Sequence, residues 1–453
     1  MNLVWFRNDL RLADNPALSA ALKTGRPTRA VFVLTPEQHA LHGEAPQKFE
    51  FIKAHVNNLC QRLAKLGVVL SVRQASVFAD VPAVIQACCA EHQVTELYYN
   101  EAYWVNEIDR DQKVNTVLSE AGIGVHTFHS EYLLPPGTVR KQDGGMYHVF
   151  TPYKNKFIEQ LKERHAQPLP VPAYQGQELA AAEPPIDVDF NLPGWVIGEQ
   201  SVHAQLKDFL ADHDYQQERD YPAIDGTSRL SPYLAIGVIN ARLCLAHALK
   251  KEGEQAFHGT WVSELIWRDF YNDLMYEYPR LAKHQTFKQE APQSWPGDGE
   301  LLAAWKAGKT GFPIIDAGMR QLTKTGWMHN RVRMLTASFL SKLCLVDWHS
   351  GEAHFMANLL DGDLASNNGG WQWSSATGCD AAPYFRIFNP TTQSEKFDPD
   401  GRYIREFVPE LSELQGKSIH NPDNGQRQQC GYPLPVIDYK AARQQALDWF
   451  KSH

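Results

Sequence analysis

An α/β domain built on a doubly wound parallel sheet, joined by a long linker to a large all-α domain, is the fold this chain predicts, and three features of its 453 residues predict it. Short apolar runs alternate with amphipathic helical stretches up to about residue 130. A proline-studded stretch follows, to about residue 199, and beyond it helical periodicity continues almost to the last residue. The domains expected are therefore 1–130, 131–199 and 200–453.

The first region carries strand patterns at Asn2–Phe6, Arg29–Leu34, Val68–Arg73, Glu96–Tyr99 and Val125–His129. Helical periodicity separates them at Pro16–Lys23, Lys48–Leu66, Val81–His92 and Asn106–Glu120. Strand and helix in alternation imply parallel pairing, with a ligand expected beyond the carboxyl ends of the strands. The first strand-to-helix turn, RNDLRLADN, lacks the glycines of a dinucleotide fingerprint, which argues against a standard dinucleotide domain. The linker contains Pro135–Gly137 (PPG), the run Gln167–Tyr174, and EPPIDVDFNLPG at Glu183–Gly194, with one amphipathic helix expected at Pro152–Arg164.

Hydrophobic residues make up 43% and charged residues 21%, the proportions of an ordinary soluble protein. The net charge of −8 excludes a globally basic nucleic-acid binder but not a local patch. The strongest basic stretch, Arg320–Arg333, holds Arg320, Lys324, Arg331 and Arg333 beside His329. Seven scattered cysteines include no C-x-x-C pair and no zinc spacing, so no metal is expected and a reducing, cytoplasmic setting is. No leader pattern or membrane-length apolar run is present, and nothing marks an oligomer, so a monomer is expected.

Four motifs carry chemistry. In Gly226–Gly237 (GTSRLSPYLAIG), Ser231 reads as a helix N-cap with Pro232 at the first helical position. Thr227, Ser228 and Arg229 just before it would make a diphosphate cradle, unless the segment is only a cap. On the helix Trp261–Tyr276, Glu264 stands between Trp261 and Trp267, where desolvation favours a protonated carboxyl able to donate to a developing negative charge. The alternative is an ordinary ion pair from Glu264 to Arg268. In GWMHNRVRM, Asn330, Arg333 and Met334 share one helix face, whereas Arg331 and Arg333 point in different directions, one free to reach phosphate and the other inward. Finally, Asp361–Trp373 (DGDLASNNGGWQW) reads as a loop in which Gly362, Gly369 and Gly370 admit a flat ligand. Asp361, Asp363, Asn367 and Asn368 supply polar groups there, and Trp371 and Trp373 supply redox-capable rings. A tight turn without a ligand remains the rival, the spacing not being that of a calcium loop. GKTG at Gly308–Gly311 is not a P-loop, because Ala303 stands where the first glycine is needed.

Together with LVWFRNDLRLADNPAL, ERDYPAIDGTSRLSPYLA, SELIWRDFY and DAAPYFRIFNPTTQSEKFDPDGRYIR, these strings cover the chain almost end to end. Their sequence and order resemble the photolyase/cryptochrome flavoproteins, and within them the class I cyclobutane pyrimidine dimer photolyases of bacteria. The resemblance implies folded FAD in the helical domain, its phosphates and sugar held by Tyr215, Thr227, Ser228, Arg229, Leu230 and Ser231. Trp261, Arg333, Asp361, Gly362, Asp363 and Asn367 would surround its ring system, with Asn367 at flavin N5. Plant cryptochromes have Asp at that place, so Asn367 favours repair over the alternative, a blue-light receptor that repairs nothing. Reduced FAD would lend an electron to the dimer while Glu264 bonds its carbonyl and Trp267, Asn330 and Met334 pack against it. Enzymes for the (6-4) lesion carry His where this chain has Asn330 and Met334, so the cyclobutane lesion is implied. Arg219, Arg268, Arg331, Trp373, Arg386 and Gln393 would contact ultraviolet-damaged DNA. The resemblance further implies reduction of the flavin through Trp371, Trp348 and Trp295. It also implies a 5,10-methenyltetrahydrofolate antenna at Asn106, Glu107 and Lys283. Ala282, before that lysine, departs from the pattern, which leaves a deazaflavin or no antenna open.

Overall fold

The computed structural model describes residues 1–164, 167–173, 183–292 and 294–452; Tyr174, which ends the expected proline-studded run, lies outside the described residues. Two compact units emerge. The first comprises Met1–Asn191, Trp195–Asp212 and Ser228–Ala282, and the second Leu192–Gly194, His213–Thr227 and Lys283–His453.

In the first unit β1 (Asn2–Phe6), β2 (Thr28–Leu34), β3 (Leu70–Gln74), β4 (Glu96–Asn100) and β5 (Gly124–Phe128) form one parallel sheet in the order β3-β2-β1-β4-β5. All five β1 residues are buried, which is why NLVWF reads as an unbroken apolar run rather than an alternating one. The third strand begins two residues later than its pattern suggests. The Val68 N–H bonds back to the Leu63 carbonyl at 3.0 Å, closing the preceding helix, and cannot join the ladder. The helices between strands lie at Pro16–Lys23, Pro46–Ala64, Val81–Glu91 and Val105–Glu120. A further short helix, Pro36–Leu41, buries none of its residues and so leaves no periodic trace in the sequence.

The stretch expected as a linker is tied down along most of its described length. Leu133 N–H donates to Asp269 (2.9 Å), Gly137 N–H to Asp273 (2.5 Å), and Asn57 makes a two-way bond with the backbone of Ile186 (2.9 Å each). Its helix runs Phe150–Arg164, and Tyr153 donates to Asp273 at 2.8 Å. Ser228–Ala282 packs in this unit because the first strand-to-helix turn recruits it. Buried Asp14 receives Arg242 through two 2.9 Å bonds and Asn240 at 2.6 Å.

The second unit is helical, around a core that includes Trp305, Ile315, Met328, Leu340, Trp348, Trp371 and Tyr403. The helix Pro313–Thr325 stops at Gly326, whose left-handed backbone (φ 69°) costs a glycine little; a Cβ there would meet Leu192 and Leu360. Among the described residues no helix is long and apolar enough to cross a membrane, and no His, Cys, Asp and Glu group is arranged to hold a metal ion.

Candidate active site

The segment expected as a loop is a helix. Leu364–Ser375 is helical, with Asp363 as its N-cap accepting from the Ser366 N–H at 2.8 Å. Buried side-chain pairing overrides the poor helix propensity of Asn and Gly there. Asn368 donates to Glu352 (2.8 Å), Gln372 donates to Asn368 (2.8 Å), and the Phe287 N–H donates to Gln372 (2.8 Å). Asn367 is oriented by a 3.0 Å bond from its amide to the Glu352 carbonyl.

Arg333 turns inward, as one of the two arginines was expected to. Its Nη2 sits 3.1 and 2.8 Å from the two Asp361 oxygens while its Nε donates to the Met328 carbonyl at 2.7 Å. Arg331 points elsewhere, to Asp220 at 2.5 Å, with its guanidinium 4.4 Å from the Phe397 ring. Asn330 and Met334 share a face of the helix Asn330–Ser338, the amide 4.0 Å from the sulfur. Next to this polar set, the second Asp363 oxygen is buried without a protein hydrogen-bond partner among the described residues. A buried acceptor left so is costly unless a ligand donates to it. A flavin ring system, which carries N–H and carbonyl groups along one edge, fits that donor and acceptor set.

The three tryptophans expected to pass electrons stand on neighbouring segments. Trp371 is buried between Trp305 (centroids 5.9 Å) and Phe355 (5.0 Å). A Cβ on Gly351 would fall 2.1 Å from the Trp371 ring, so the helix Trp348–Met356 lies directly against it. The Gly297 N–H donates to the Leu345 carbonyl at 2.8 Å, bringing the Trp295 loop beside the entry to that helix. Sequence reasoning missed the surroundings of these rings. His349 stacks on Trp348 at 3.8 Å, and Trp449 meets Trp295 at 4.8 Å. Lys342, also missed, is buried and donates to the carbonyls of Pro383 (3.0 Å) and Arg386 (3.2 Å), anchoring the segment of Arg386, whose guanidinium lies 6.0 Å from Trp373. Only i, i+3 and i, i+4 neighbours could have been read from spacing, and none of these pairs has it. Gln393 stands on the helix Pro390–Phe397, half-buried.

Tyr215, Arg219 and Thr227 belong to the second unit, with Arg219 5.3 Å from the Tyr215 ring; Ser228, Arg229, Leu230 and Ser231 belong to the first. Ser231 is not the cap. The turn closes one residue earlier, Leu234 N–H to Leu230 carbonyl at 2.9 Å, so Leu230 holds the cap position and Ser231 and Pro232 open a helix of five residues. Also in the first unit, Glu264 is half-buried on the helix Thr260–Glu277. Trp261 lies against Phe209 (5.4 Å) and Trp267 stacks on Phe150 (3.6 Å, 8°). Arg268 pairs with Glu131 at 3.1 Å and lies 4.7 Å from the Tyr132 ring.

Beyond the carboxyl ends of β1, β2 and β4, at the point where strand order reverses, an open cleft is lined by Trp5, Phe32, Phe78, Tyr103, Trp104 and Glu107 among others. Burial pushes the Glu107 carboxyl pKa up, against the pull of Arg110. Asn106 bonds His42 at 2.9 Å. Lys283 is exposed and opens the last segment of the second unit.

An α/β unit with a cleft at its strand reversal, and a helical unit whose buried tryptophans flank an Asp/Asn/Arg set, define a two-domain flavoprotein. Residues 2–173 match the model of DNA photolyase, and residues 261–452 match that of the FAD binding domain of DNA photolyase. The chain is 44% identical to the deoxyribodipyrimidine photo-lyase of Escherichia coli (strain K12) over 98% of this chain and 97% of that relative. Among solved structures it is similar to a class III photolyase from Agrobacterium tumefaciens (TM-score 0.83, 33% identity, 100% and 97% of the two chains). It is also similar to a cryptochrome from Synechocystis sp. PCC6803 (TM-score 0.86, 28% identity, 99% and 98%). The chain belongs to the DNA photolyase family and carries that family's FAD-binding domain.

Proposed function

We propose that this chain is a light-driven lyase that splits cyclobutane pyrimidine dimers in ultraviolet-damaged DNA. The observation that carries the reading is end-to-end likeness to a relative bearing the photo-lyase name, at 44% identity against 28% for the cryptochrome neighbour. Reduced FAD supplies the one-electron chemistry when bound. The chain's residues bind, orient and stabilise. Asp361, held by Arg333, and the Asp363 oxygen that has no protein partner among the described residues would hold the ring system together with Gly362, Trp261 and Asn367. Tyr215 and Thr227–Ser231 hold the phosphates and sugar.

Glu264 acts on the substrate. Its carboxyl, when protonated, donates to the pyrimidine carbonyl on which negative charge develops, and a donor already in place needs little reorganisation as that charge appears. The two cyclobutane carbon–carbon bonds of the dimer would then break as the two pyrimidine double bonds reform, with no net gain or loss of electrons by the DNA. Trp267, Asn330 and Met334 line the lesion's seat, and the damaged bases reach it by leaving the helix, which their weakened stacking makes cheap. Arg219, Arg268, Arg331, Trp373, Arg386 and Gln393 hold the flanking DNA. Trp371, Trp348 and Trp295 carry electrons inward to restore the reduced state. Asn106, Glu107 and Lys283 hold a folate antenna. The protein works as a monomer in the cytoplasm.

Blue light should restore dimer-containing DNA in the presence of the purified protein. Glu264→Ala should lower the repair yield with FAD still bound. Undiminished repair by that variant would remove Glu264 from the mechanism, and loss-free photoreduction with no repair at all in the wild type would favour a photoreceptor.

A further inference from the structure

We infer that Trp449 is a fourth member of the electron chain, and that Trp295 is a step within it and not its exit. The inference rests on the proposed path through Trp371, Trp348 and Trp295. The Trp295 and Trp449 rings lie 4.8 Å apart at 42°, in van der Waals contact. Their helix and loop are far apart in sequence, so spacing gives no hint of the pair. Trp295 also meets Phe450 at 6.1 Å, and Phe450 stacks on Tyr384 at 5.9 Å. A benzene ring is much harder to oxidise than an indole, so Phe450 does not continue the path to Tyr384.

Burial sets the direction of travel. A positive hole on an indole is better solvated near water, and a buried charge without a partner is costly. Trp348 and Trp371 are buried (0% and 2% exposed), and their indole N–H groups find no acceptor among the described residues. A hole on either ring therefore cannot be trapped there by proton loss and moves outward. Trp295 and Trp449 are half-buried, and the helix Tyr439–Lys451 buries only Ala442 and Ala446, so Trp449 borders solvent.

Light-driven loss of one electron from Trp371 to the bound flavin is made good from Trp348, then Trp295, then Trp449. Trp449 then releases its indole proton to water. A small-molecule thiol in solution returns one electron and one proton to it, and two resulting thiyl radicals couple to a disulfide.

The test compares Trp449→Phe, Trp449→Tyr and Trp295→Phe with wild type, as FAD-loaded protein with a thiol under blue light. Trp449→Phe should slow flavin photoreduction several-fold. Trp449→Tyr, whose ring is oxidisable, should restore the rate and replace the tryptophanyl radical spectrum with a tyrosyl one. In the apoprotein, the near-ultraviolet circular dichroism of the ring pair should be lost equally in Trp449→Phe and Trp295→Phe. Wild-type photoreduction by Trp449→Phe, with Trp295→Phe slow, would overturn the inference while sparing the three-tryptophan path. Wild-type rates in both would overturn the path and the inference with it. If Trp449→Phe fails to fold, a Trp449→Tyr protein that forms no tyrosyl radical overturns the inference alone.

Discussion

Asp363 uses its two carboxylate oxygens for different ends, and substitution can separate them. One caps the helix Leu364–Ser375, and the other is buried without a protein partner among the described residues. Asp363→Ala should cost about 1 kcal/mol through the lost cap, read as a lower Tm, and weaken FAD retention as well. Asn caps about as well as Asp, so Asp363→Asn should keep the Tm yet still lose FAD affinity in equilibrium dialysis. Unchanged affinity in the Asn variant would mean that the second oxygen does not hold the cofactor. Gly351 is decisive for a different reason, because a Cβ would stand 2.1 Å from the Trp371 ring. Gly351→Ala should destabilise by about 1–3 kcal/mol through overpacking and disturb photoreduction. A Tm like the wild type's would show that Trp371 can yield.

At the N-terminus of the helix Trp348–Met356 a charge pair is built against an electron-carrying ring. His349 faces acceptors on both sides, Asp347 at 2.8 Å and the His284 carbonyl at 3.0 Å, so its ring holds both protons. Burial alone would lower its pKa, but Asp347, with Glu352 and the His284 carbonyl, outweighs burial and raises it. For Asp347 burial acts upward and His349 more than reverses it, leaving the carboxyl below its ordinary value. The pair therefore stabilises the helix start in the window between these two values. Its contribution is lost as pH falls through the lowered Asp347 value, and again as pH rises through the raised His349 value. Calorimetry of His349→Asn against wild type across that window should show a difference largest in the middle and shrinking at both ends. A pH-independent difference would mean that the ring acts by packing alone. Loss of the imidazolium should also speed the hop through Trp348, since a cation 3.8 Å away opposes a hole on that indole.

For the molecule as a whole, a net charge of −8 makes DNA binding depend on a few local cations. Those cations are not equivalent. Arg331 is already committed to Asp220 at 2.5 Å, so gripping phosphate means giving up that partner. Arg386 borders Trp373, on backbone anchored by Lys342. Arg386→Ala should weaken binding to dimer-containing duplex and reduce the slope of log K against log salt by about 1. Asp220→Asn should instead tighten binding, by freeing Arg331. If it weakens binding, Asp220 orients Arg331 for the DNA and does not compete with it.

The sequence by itself determined the alternation of parallel strands and helices, with most ends within one or two residues, because burial along one element is periodic and local. It determined also that Arg333 and Arg331 diverge and that Asn330 meets Met334, for the same reason. Only tertiary structure decided that Asp361–Trp373 is mostly helix, since the bonds that hold it, from Asn368 to Glu352 and from the Phe287 N–H to Gln372, have their partners outside that helix. Tertiary structure alone also joined Arg268 to Glu131, across 137 residues, and Trp449 to Trp295. Such contacts depend on how two faces meet after the chain has turned many times. No spacing within either segment encodes that meeting.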